Sequence, residues 1–291
     1  MRDIRDNLIP AFVAGHATAV MIHLLALLLL CRVKFKPINQ RILIINLAIV
    51  ELLFNLYQLH LYTFWIKYRW DIDSSYDHVD RFFFLFLATA NKLIMIYLIC
   101  DRLLDIHLHL RYPIYFTEQR VKNINIVIWL FCAKYALIMT VLIKFKIGGA
   151  TLLWVCYSFY LAKDLVIVIS ALITYGYLYM KVRHFRAIDN SQRIAGMKGE
   201  IRVSNRTKFL LPCLIIATYL VFNITAIIMY LYKTHLLQKG LAKSLVSEIS
   251  HWFWIFGHIS DGVLYIFLQK DVKKKLISIF GKRQVSPASG Q

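Results

Sequence analysis

The chain has 291 residues, 59% of them hydrophobic, with a mean hydropathy of +0.58. That apolar content exceeds what a soluble domain with one core carries. A formal net charge of +19 is compatible with nucleic acid binding, but the basic residues cluster between apolar runs. The composition therefore excludes an ordinary soluble domain, indicates a protein embedded in the lipid bilayer and argues against a nucleic acid partner.

Seven apolar runs, each long enough to cross a bilayer, follow one another along the chain. They are 8–31, 41–63, 82–103, 122–143, 152–180, 207–232 and 246–268. The first run ends in basic residues without a small-residue cleavage site, so we expect a retained helix rather than a signal peptide. The sequence thus predicts an all-α membrane protein, built as a seven-transmembrane helix bundle over 8–268.

The distribution of basic residues predicts the orientation. With the N-terminus outside, the inner segments hold 22 of the 35 Lys and Arg residues, as the positive-inside rule requires. Residues 1–7 are then a short extracellular N-terminus. Residues 269–281 place apolar side chains on one face and lysines beside it, which predicts a short amphipathic helix on the inner membrane face. We expect 282–291 to be a disordered cytosolic tail.

Cysteines and reactive side chains suggest neither cross-links nor catalysis. Of five cysteines, Cys156 alone is expected toward the outer side, so no disulfide is predicted. The sequence has no nucleophile–base pair, phosphate-binding loop or metal-ligand spacing. We therefore expect no enzyme and no metal site of these types.

The end of the third run carries the most specific motif. Asp101-Arg102 is followed by Leu-Arg-Tyr at 110–112. This segment resembles the Asp-Arg-Tyr signature and second inner loop of rhodopsin-like (class A) G-protein-coupled receptors. The alternative is a helix-end ion pair beside a basic loop. The resemblance implies that Asp101 holds Arg102 until helix six moves and frees it for a heterotrimeric G protein, with Tyr265 and Tyr175 or Tyr177 steadying the released form.

Two further motifs stand in the order expected for that family. Asn46-Leu-Ala-Ile-Val-Glu51 is similar to its helix-two motif, and Asp261-Gly-Val-Leu-Tyr265 resembles its helix-seven motif. A carboxylate within a membrane helix is costly in hydrocarbon, so Glu51 should face the bundle interior and meet Asp261. By resemblance, Glu51, Asp261 and Asn46 form a site for sodium and water. Two neutral carboxyl groups are the alternative.

A candidate ligand pocket is predicted in the outer half of the bundle. Phe84 stands at the level where amine receptors of the family carry an aspartate, which argues against a biogenic amine. Phe84, Ala88, Lys92, His251 and Trp252 are the candidate lining residues for a small molecule or peptide. The alternatives are core or lipid-facing packing for Phe84, an internal pair or snorkelling for Lys92, and an interfacial belt for Trp252.

Several hinge residues of the family are absent. The helix-five proline and the helix-six Trp-x-Pro are missing, and Gly262 replaces the helix-seven proline. These departures leave two other functions open. One is a seven-helix membrane scaffold or partner protein that does not signal, and the other is a channel subunit that uses Glu51, Lys92 and Asp261. The main expectation is a plasma-membrane receptor for a non-amine ligand.

Overall fold

A computed structural model describes residues 2–33, 38–68, 74–108, 111–145 and 241–267, with scattered positions between 162 and 180, 214 and 228, and 272 and 278. The main elements within this part are α1 (Arg2–Arg32), α2 (Ile38–Tyr68), α3 (Ser74–Leu108), the single turn α4 (Tyr112–Tyr115), α5 (Glu118–Lys144), a π-helical segment (Tyr219–Ile224) and α6 (Leu241–Phe267). The predicted all-α class is confirmed for the described residues.

Four described helices are long and apolar enough to cross a membrane. The stretches are Leu8–Arg32, Asn39–Phe64, His78–Asp105 and Glu118–Lys144. They match the first four predicted spans, and the chain is an all-α membrane protein. α6 covers residues 246–267 of the predicted span 246–268 but is not among those four helices. The runs 152–180 and 207–232 lie mostly outside the described residues, so the count of seven stays a prediction.

α2 is central to the described packing, because it contacts α1, α3, α5 and α6. α6 packs mainly on α1, and α5 packs mainly on α3. Leu47 and Ala48 of α2 and Ala90 and Ile94 of α3 are fully buried in the main core. Small residues such as Ala48 and Ala90 let helix backbones approach closely, which favours helix association in lipid.

The outward face of α5 is apolar. Ile126, Val127 and Leu130 are all more than half exposed, whereas Cys132 and Ala136 are fully buried. A helix that is hydrophobic on its exposed face as well as its buried one suits a surrounding of lipid rather than water. The exposed face of α5 is therefore a lipid-facing surface.

The helices extend beyond the limits set by apolar runs. α1 begins at Arg2, inside the segment 1–7 that was predicted as a separate N-terminus, and α3 spans Ser74–Leu108 rather than 82–103. Asp80 therefore lies on α3, where its carboxylate accepts a hydrogen bond from the Tyr57 hydroxyl of α2. Hydropathy locates the hydrocarbon-crossing part of a helix, but a helix continues wherever its backbone hydrogen bonds continue.

The described positions of the predicted surface helix 269–281 are helical. Val272 is buried in the main core, Leu276 packs against that core and Lys273 is exposed. The position of this helix on the inner membrane face stays a prediction. The predicted tail 282–291 lies outside the described residues.

Candidate functional site

The C-terminal end of α3 holds a buried ion pair. Asp101 and Arg102 are 0% and 1% exposed, and Arg102 Nε donates to Asp101 Oδ2 at 3.0 Å, as predicted from the sequence. Arg102 Nη1 donates to Asp105 Oδ2 at 3.3 Å and to the Gln40 side-chain oxygen at 3.4 Å. Two carboxylates and one amide oxygen thus hold the guanidinium and offset the cost of burying its charge.

Tyr112 of α4 holds the other side of Asp101. Its hydroxyl donates to Asp101 Oδ1, while Asn39 Nδ2 lies 3.4 Å from the Tyr112 oxygen and 2.6 Å from the Phe116 carbonyl. Burial and the negative charge of Asp101 raise the pKa of Tyr112, so this hydroxyl remains a donor at neutral pH. We call Asn39, Gln40, Asp101, Arg102, Asp105 and Tyr112 the Arg102 cluster.

The connection after α3 positions Tyr112. Pro113 lies in the first turn of α4, where its missing N–H costs no helical hydrogen bond, and the Phe116 N–H donates to the Tyr112 carbonyl at 2.9 Å. The Phe116 ring stacks on Tyr112 with centroids 5.2 Å apart. The Thr117 side chain then accepts from the Arg120 N–H at 3.4 Å and begins α5. The short turn thereby keeps Tyr112 against α3.

A second buried polar group joins α2 to α6. Glu51 and Asp261 are 1% and 3% exposed and interact electrostatically. The Tyr265 hydroxyl donates to Glu51 Oε2 at 3.2 Å, and the Thr218 hydroxyl donates to Asp261 Oδ1 at 2.5 Å. Two buried carboxyl groups repel each other when both are ionised, and a proton or a cation between them relieves that repulsion. With His23, these residues form the carboxyl cluster.

The oxygen donors of the carboxyl cluster are of the type that hard cations take. The Tyr265 hydroxyl donates to Glu51 in this arrangement, and its role in steadying the released form stays a prediction.

α1 approaches α6 closely at the carboxyl cluster. His23 Nε2 donates to the His258 carbonyl at 2.9 Å and lies 3.4 Å from Glu51 Oε2. A Cβ atom at Gly262 would lie 2.7 Å from Ile22 Cγ2 and 3.2 Å from His23 Cε1. The sequence suggested that Gly262 supplies flexibility in place of a proline. The structure adds that its missing side chain makes room for α1.

Asn46 does not join the carboxyl cluster. Its Nδ2 donates to the Ile42 carbonyl at 2.8 Å, and its Oδ1 accepts from Trp129 Nε1 at 3.3 Å. Asn46 and Glu51 are five positions apart and so point about 140° apart around an α-helix. The structure therefore brings together Glu51 and Asp261 of the three residues predicted to bind sodium, while Asn46 links α2 to α5.

The predicted ligand-pocket residues fall into two groups. Phe84 of α3 lies 6.1 Å from the Trp254 ring and 6.2 Å from the Phe54 ring, and Ala88 is buried in the same cluster. Lys92, one turn further along α3, is 6% exposed. Trp254, rather than His251 or Trp252, thus meets the α3 side of the predicted pocket among the described residues.

His251 and Trp252 pack toward α1 and α2. The Phe12 ring lies 4.6 Å from His251 and 5.3 Å from Trp252, and His251 Nε2 lies 3.2 Å from His16 Nε2 and 3.0 Å from the Tyr62 hydroxyl. Successive helix residues turn by about 100°, so neighbours on α6 face different partners. The five predicted lining residues do not form one group.

Comparison with protein-family models gave no match, and a search of curated proteins found no match either. The functional interpretation therefore rests on the residues described above. Tyr175, predicted as part of the switch, lies outside the described residues.

Sequence reasoning assigned no site role to the cluster members Asn39, Gln40, Asp105 and His23, or to His16. A signal for the histidines was available: His16 and His23 are seven positions apart, as are His251 and His258. Seven positions are about two helical turns, so each pair lies on one helix face. This spacing predicts a contact between the two histidine pairs only once α1 and α6 are known to pack together.

The structure describes only some of the residues on which the cysteine and metal predictions depend. Cys31, Cys100 and Cys132 are free thiols, and Cys156 and Cys213 lie outside the described residues. Within the described part of the chain, no group of three or more His, Cys, Asp or Glu side chains is arranged to hold a metal ion.

Proposed function

We propose that the chain is a rhodopsin-like G-protein-coupled receptor that senses an extracellular non-amine ligand and signals to a heterotrimeric G protein. The observation that carries this proposal is the buried Asp101–Arg102 pair at the end of α3, held by Tyr112. Burying an arginine near the end of a membrane helix is costly unless partners offset its charge. Ionisable residues inside a membrane protein therefore commonly mark functional sites.

Arg102 is the coupling residue in this proposal. In the resting state Asp101, Asp105 and Gln40 occupy its guanidinium. In the active state, movement of the helices on the inner side separates these groups, and Arg102 becomes available to the G protein. Two discrete arrangements of one buried cation provide the bistable element that signalling across a membrane requires.

The carboxyl cluster is the proposed connection between the outer ligand region and the inner face. Glu51, Asp261 and His23 join α2, α6 and α1 inside the bundle. A ligand that shifts α6 changes these contacts, and α2 carries the shift toward Gln40 at its own N-terminal end. A sodium ion in exchange for a proton shared by Glu51 and Asp261 would favour one of the two arrangements.

The remaining parts of the proposal concern topology. It includes seven spans over 8–268, an extracellular N-terminus, a cytoplasmic C-terminus, an inner-face helix over 269–281 and a plasma-membrane location. The four apolar helices and the basic inner segments support this topology.

A ligand-independent assay tests the proposal. The Asp101→Asn variant removes the negative partner of Arg102 while it keeps the shape of the side chain. We expect it to raise basal nucleotide exchange on at least one member of a G-protein panel by about 5-fold or more, when chain and G protein are reconstituted in lipid nanodiscs.

The matched control is the double variant Asp101→Asn with Arg102→Ala, which should return exchange to the level of empty nanodiscs. Arg102→Ala alone should also abolish ligand-stimulated exchange without loss of surface expression. Exchange that persists in the double variant would contradict the role of Arg102.

The alternative function is a membrane scaffold or partner protein that keeps a receptor-like fold without signalling. The missing helix-five and helix-six prolines and the tight packing of Gly262 on α1 favour it, because they reduce the means of bending these helices. It predicts that neither variant changes exchange on any G protein.

A further inference from the structure

His16 of α1 and His251 of α6 face each other through their Nε2 atoms, which lie 3.2 Å apart. The Tyr62 hydroxyl of α2 lies 3.0 Å from His251 Nε2. His251 Nε2 therefore lies within 3.2 Å of an imidazole nitrogen of α1 and a phenol oxygen of α2. No part of the proposed receptor mechanism uses these groups.

The tautomer of His16 can be assigned from its neighbours. Asn55 Nδ2 donates to the Glu51 carbonyl at 2.8 Å, so Asn55 Oδ1 faces His16 Nδ1 at 2.9 Å and accepts its N–H. A neutral His16 therefore carries its proton on Nδ1 and presents a lone pair at Nε2. Metal-binding histidines have this arrangement, in which the second ring nitrogen donates to a fixed acceptor.

The distance between the two nitrogens fits a shared metal ion. Two ligands at about 2.0–2.1 Å from a tetrahedral zinc ion lie about 3.3 Å apart. The His16–His251 separation of 3.2 Å is close to that value without movement of either helix. Imidazole suits zinc, copper and nickel better than calcium or magnesium.

The surroundings of the pair orient and shield it. The Phe12 ring packs edge-on against His251 at 4.6 Å, and the Tyr62 ring stacks on His16 at 5.7 Å. His16 is 1% exposed. An apolar shell around imidazole ligands restricts solvent access and limits the loss of rotamer entropy on metal binding.

We propose that His16 and His251, with Tyr62 as a third ligand, bind one Zn²⁺ ion between α1 and α6. Water completes the coordination. The ion replaces the hydrogen bond between the two imidazoles, and His251 then carries its proton on Nδ1. The existence of the site does not rest on the receptor function, because it requires only the packing of α1, α2 and α6. By joining α1 to α6, bound zinc stabilises the folded chain.

Purified full-length chain, stripped with a chelator, tests the site by thermal unfolding with and without Zn²⁺. We expect Zn²⁺ at ten times its Kd to raise the Tm of the unsubstituted chain by several degrees. Equilibrium dialysis should show that each test variant binds one ion fewer per chain. His16→Gln and His251→Gln are the test variants. Glutamine keeps an amide that can hydrogen-bond the remaining histidine, and we expect zinc affinity to fall by about 100-fold in each.

Two controls separate this site from zinc bound elsewhere. His60→Ala removes an exposed histidine of α2 and should leave the zinc response unchanged. Asn55→Asp keeps the acceptor for His16 Nδ1 and should retain binding. Absence of a zinc-dependent Tm rise in the unsubstituted chain, or an unchanged rise and stoichiometry in both glutamine variants, would overturn the proposal.

Discussion

The Arg102 cluster and the carboxyl cluster are both buried and polar, but they are assembled differently. In the Arg102 cluster, Asp101, Arg102, Asp105 and Tyr112 come from one short stretch of chain. In the carboxyl cluster, the hydrogen bond from His23 to the His258 carbonyl joins residues 235 positions apart. The ion pair and the Tyr112 bond of the first can form once α3 and α4 are in place, and α2 adds Asn39 and Gln40, whereas the second requires the packing of α1, α2 and α6.

The two clusters also handle charge differently. Arg102 is paired with two carboxylates, whereas Glu51 and Asp261 are two acidic side chains, which can pair by sharing a proton or a cation. Breaking an ion pair leaves a charge without its partner, but disturbing a protonated pair can be relieved by moving a proton. The Arg102 cluster should therefore respond more strongly to a single truncation, which the following substitutions test in order of expected effect.

The largest effect is expected from Asp101→Ala. It removes the nearest carboxylate of Arg102 and the acceptor of the Tyr112 hydroxyl, and breaking a buried ion pair costs about 3–5 kcal/mol. Reversible unfolding in mixed micelles measures the loss of unfolding free energy. The control is Glu118→Ala, whose carboxylate forms a half-exposed pair with Lys122 and should change stability by less than about 0.5 kcal/mol. Equal effects would contradict the importance of burial.

Gly262→Ala tests the close approach of α1 to α6. Its Cβ would lie 2.7 Å from Ile22 Cγ2, and such overpacking costs about 1–3 kcal/mol. The same unfolding measurement applies, with Gly176→Ala as the control, because a Cβ there meets no described atom within 4 Å. Adding Ile22→Ala should relieve part of the clash. A Gly262→Ala chain as stable as the control would show that α1 does not pack there.

The two tyrosine hydroxyls allow a matched pair of substitutions. Tyr112→Phe leaves Asp101 Oδ1 without this donor, and Tyr265→Phe does the same for Glu51 Oε2. Each should lower the unfolding free energy by about 1–2 kcal/mol. Tyr112→Phe should also raise basal nucleotide exchange, because Asp101 then loses a hydrogen bond that keeps it beside Arg102. If Tyr265→Phe raises exchange as much as Tyr112→Phe, the two clusters do not have separate roles.

The smallest effect concerns sodium. Replacing K⁺ by Na⁺ should raise the Tm slightly, and more at pH 8 than at pH 6, because sodium has to displace a proton shared by Glu51 and Asp261. Asp261→Asn should abolish the difference between the two salts. Asn46→Ala should keep it, since Asn46 bonds Trp129 and not the carboxyl pair. Loss of the sodium effect in Asn46→Ala would instead support the predicted sodium site of Glu51, Asp261 and Asn46.

The difference between local contacts and contacts made by helix packing also explains how much the sequence could predict. The four described apolar helices follow from the lengths of their runs, and Asp101–Arg102 follows from adjacency in one motif. The meeting of Glu51 with Asp261 follows from the cost of carboxylates in hydrocarbon. The separation of Asn46 from Glu51 was also available from helix geometry, although the motif had grouped them.

Other features depend on packing that no local pattern contains. Gly262 faces Ile22 and His23 only because α6 lies against α1. His16 and His251 similarly meet across that contact, with 235 positions between them. Tyr112 was part of a recognised motif, but its bond to Asp101 depends on the turn that follows α3.

Capture of a G protein tests the central claim most directly. Nanodisc-embedded chains are mixed with a panel of heterotrimeric G proteins, nucleotide is removed with apyrase, and the retained Gα is quantified. We predict that Asp101→Asn retains more Gα than the unsubstituted chain and that Arg102→Ala retains none above empty nanodiscs. Equal retention by Asp101→Asn and Arg102→Ala would contradict the claim that Arg102, released from Asp101, binds the G protein.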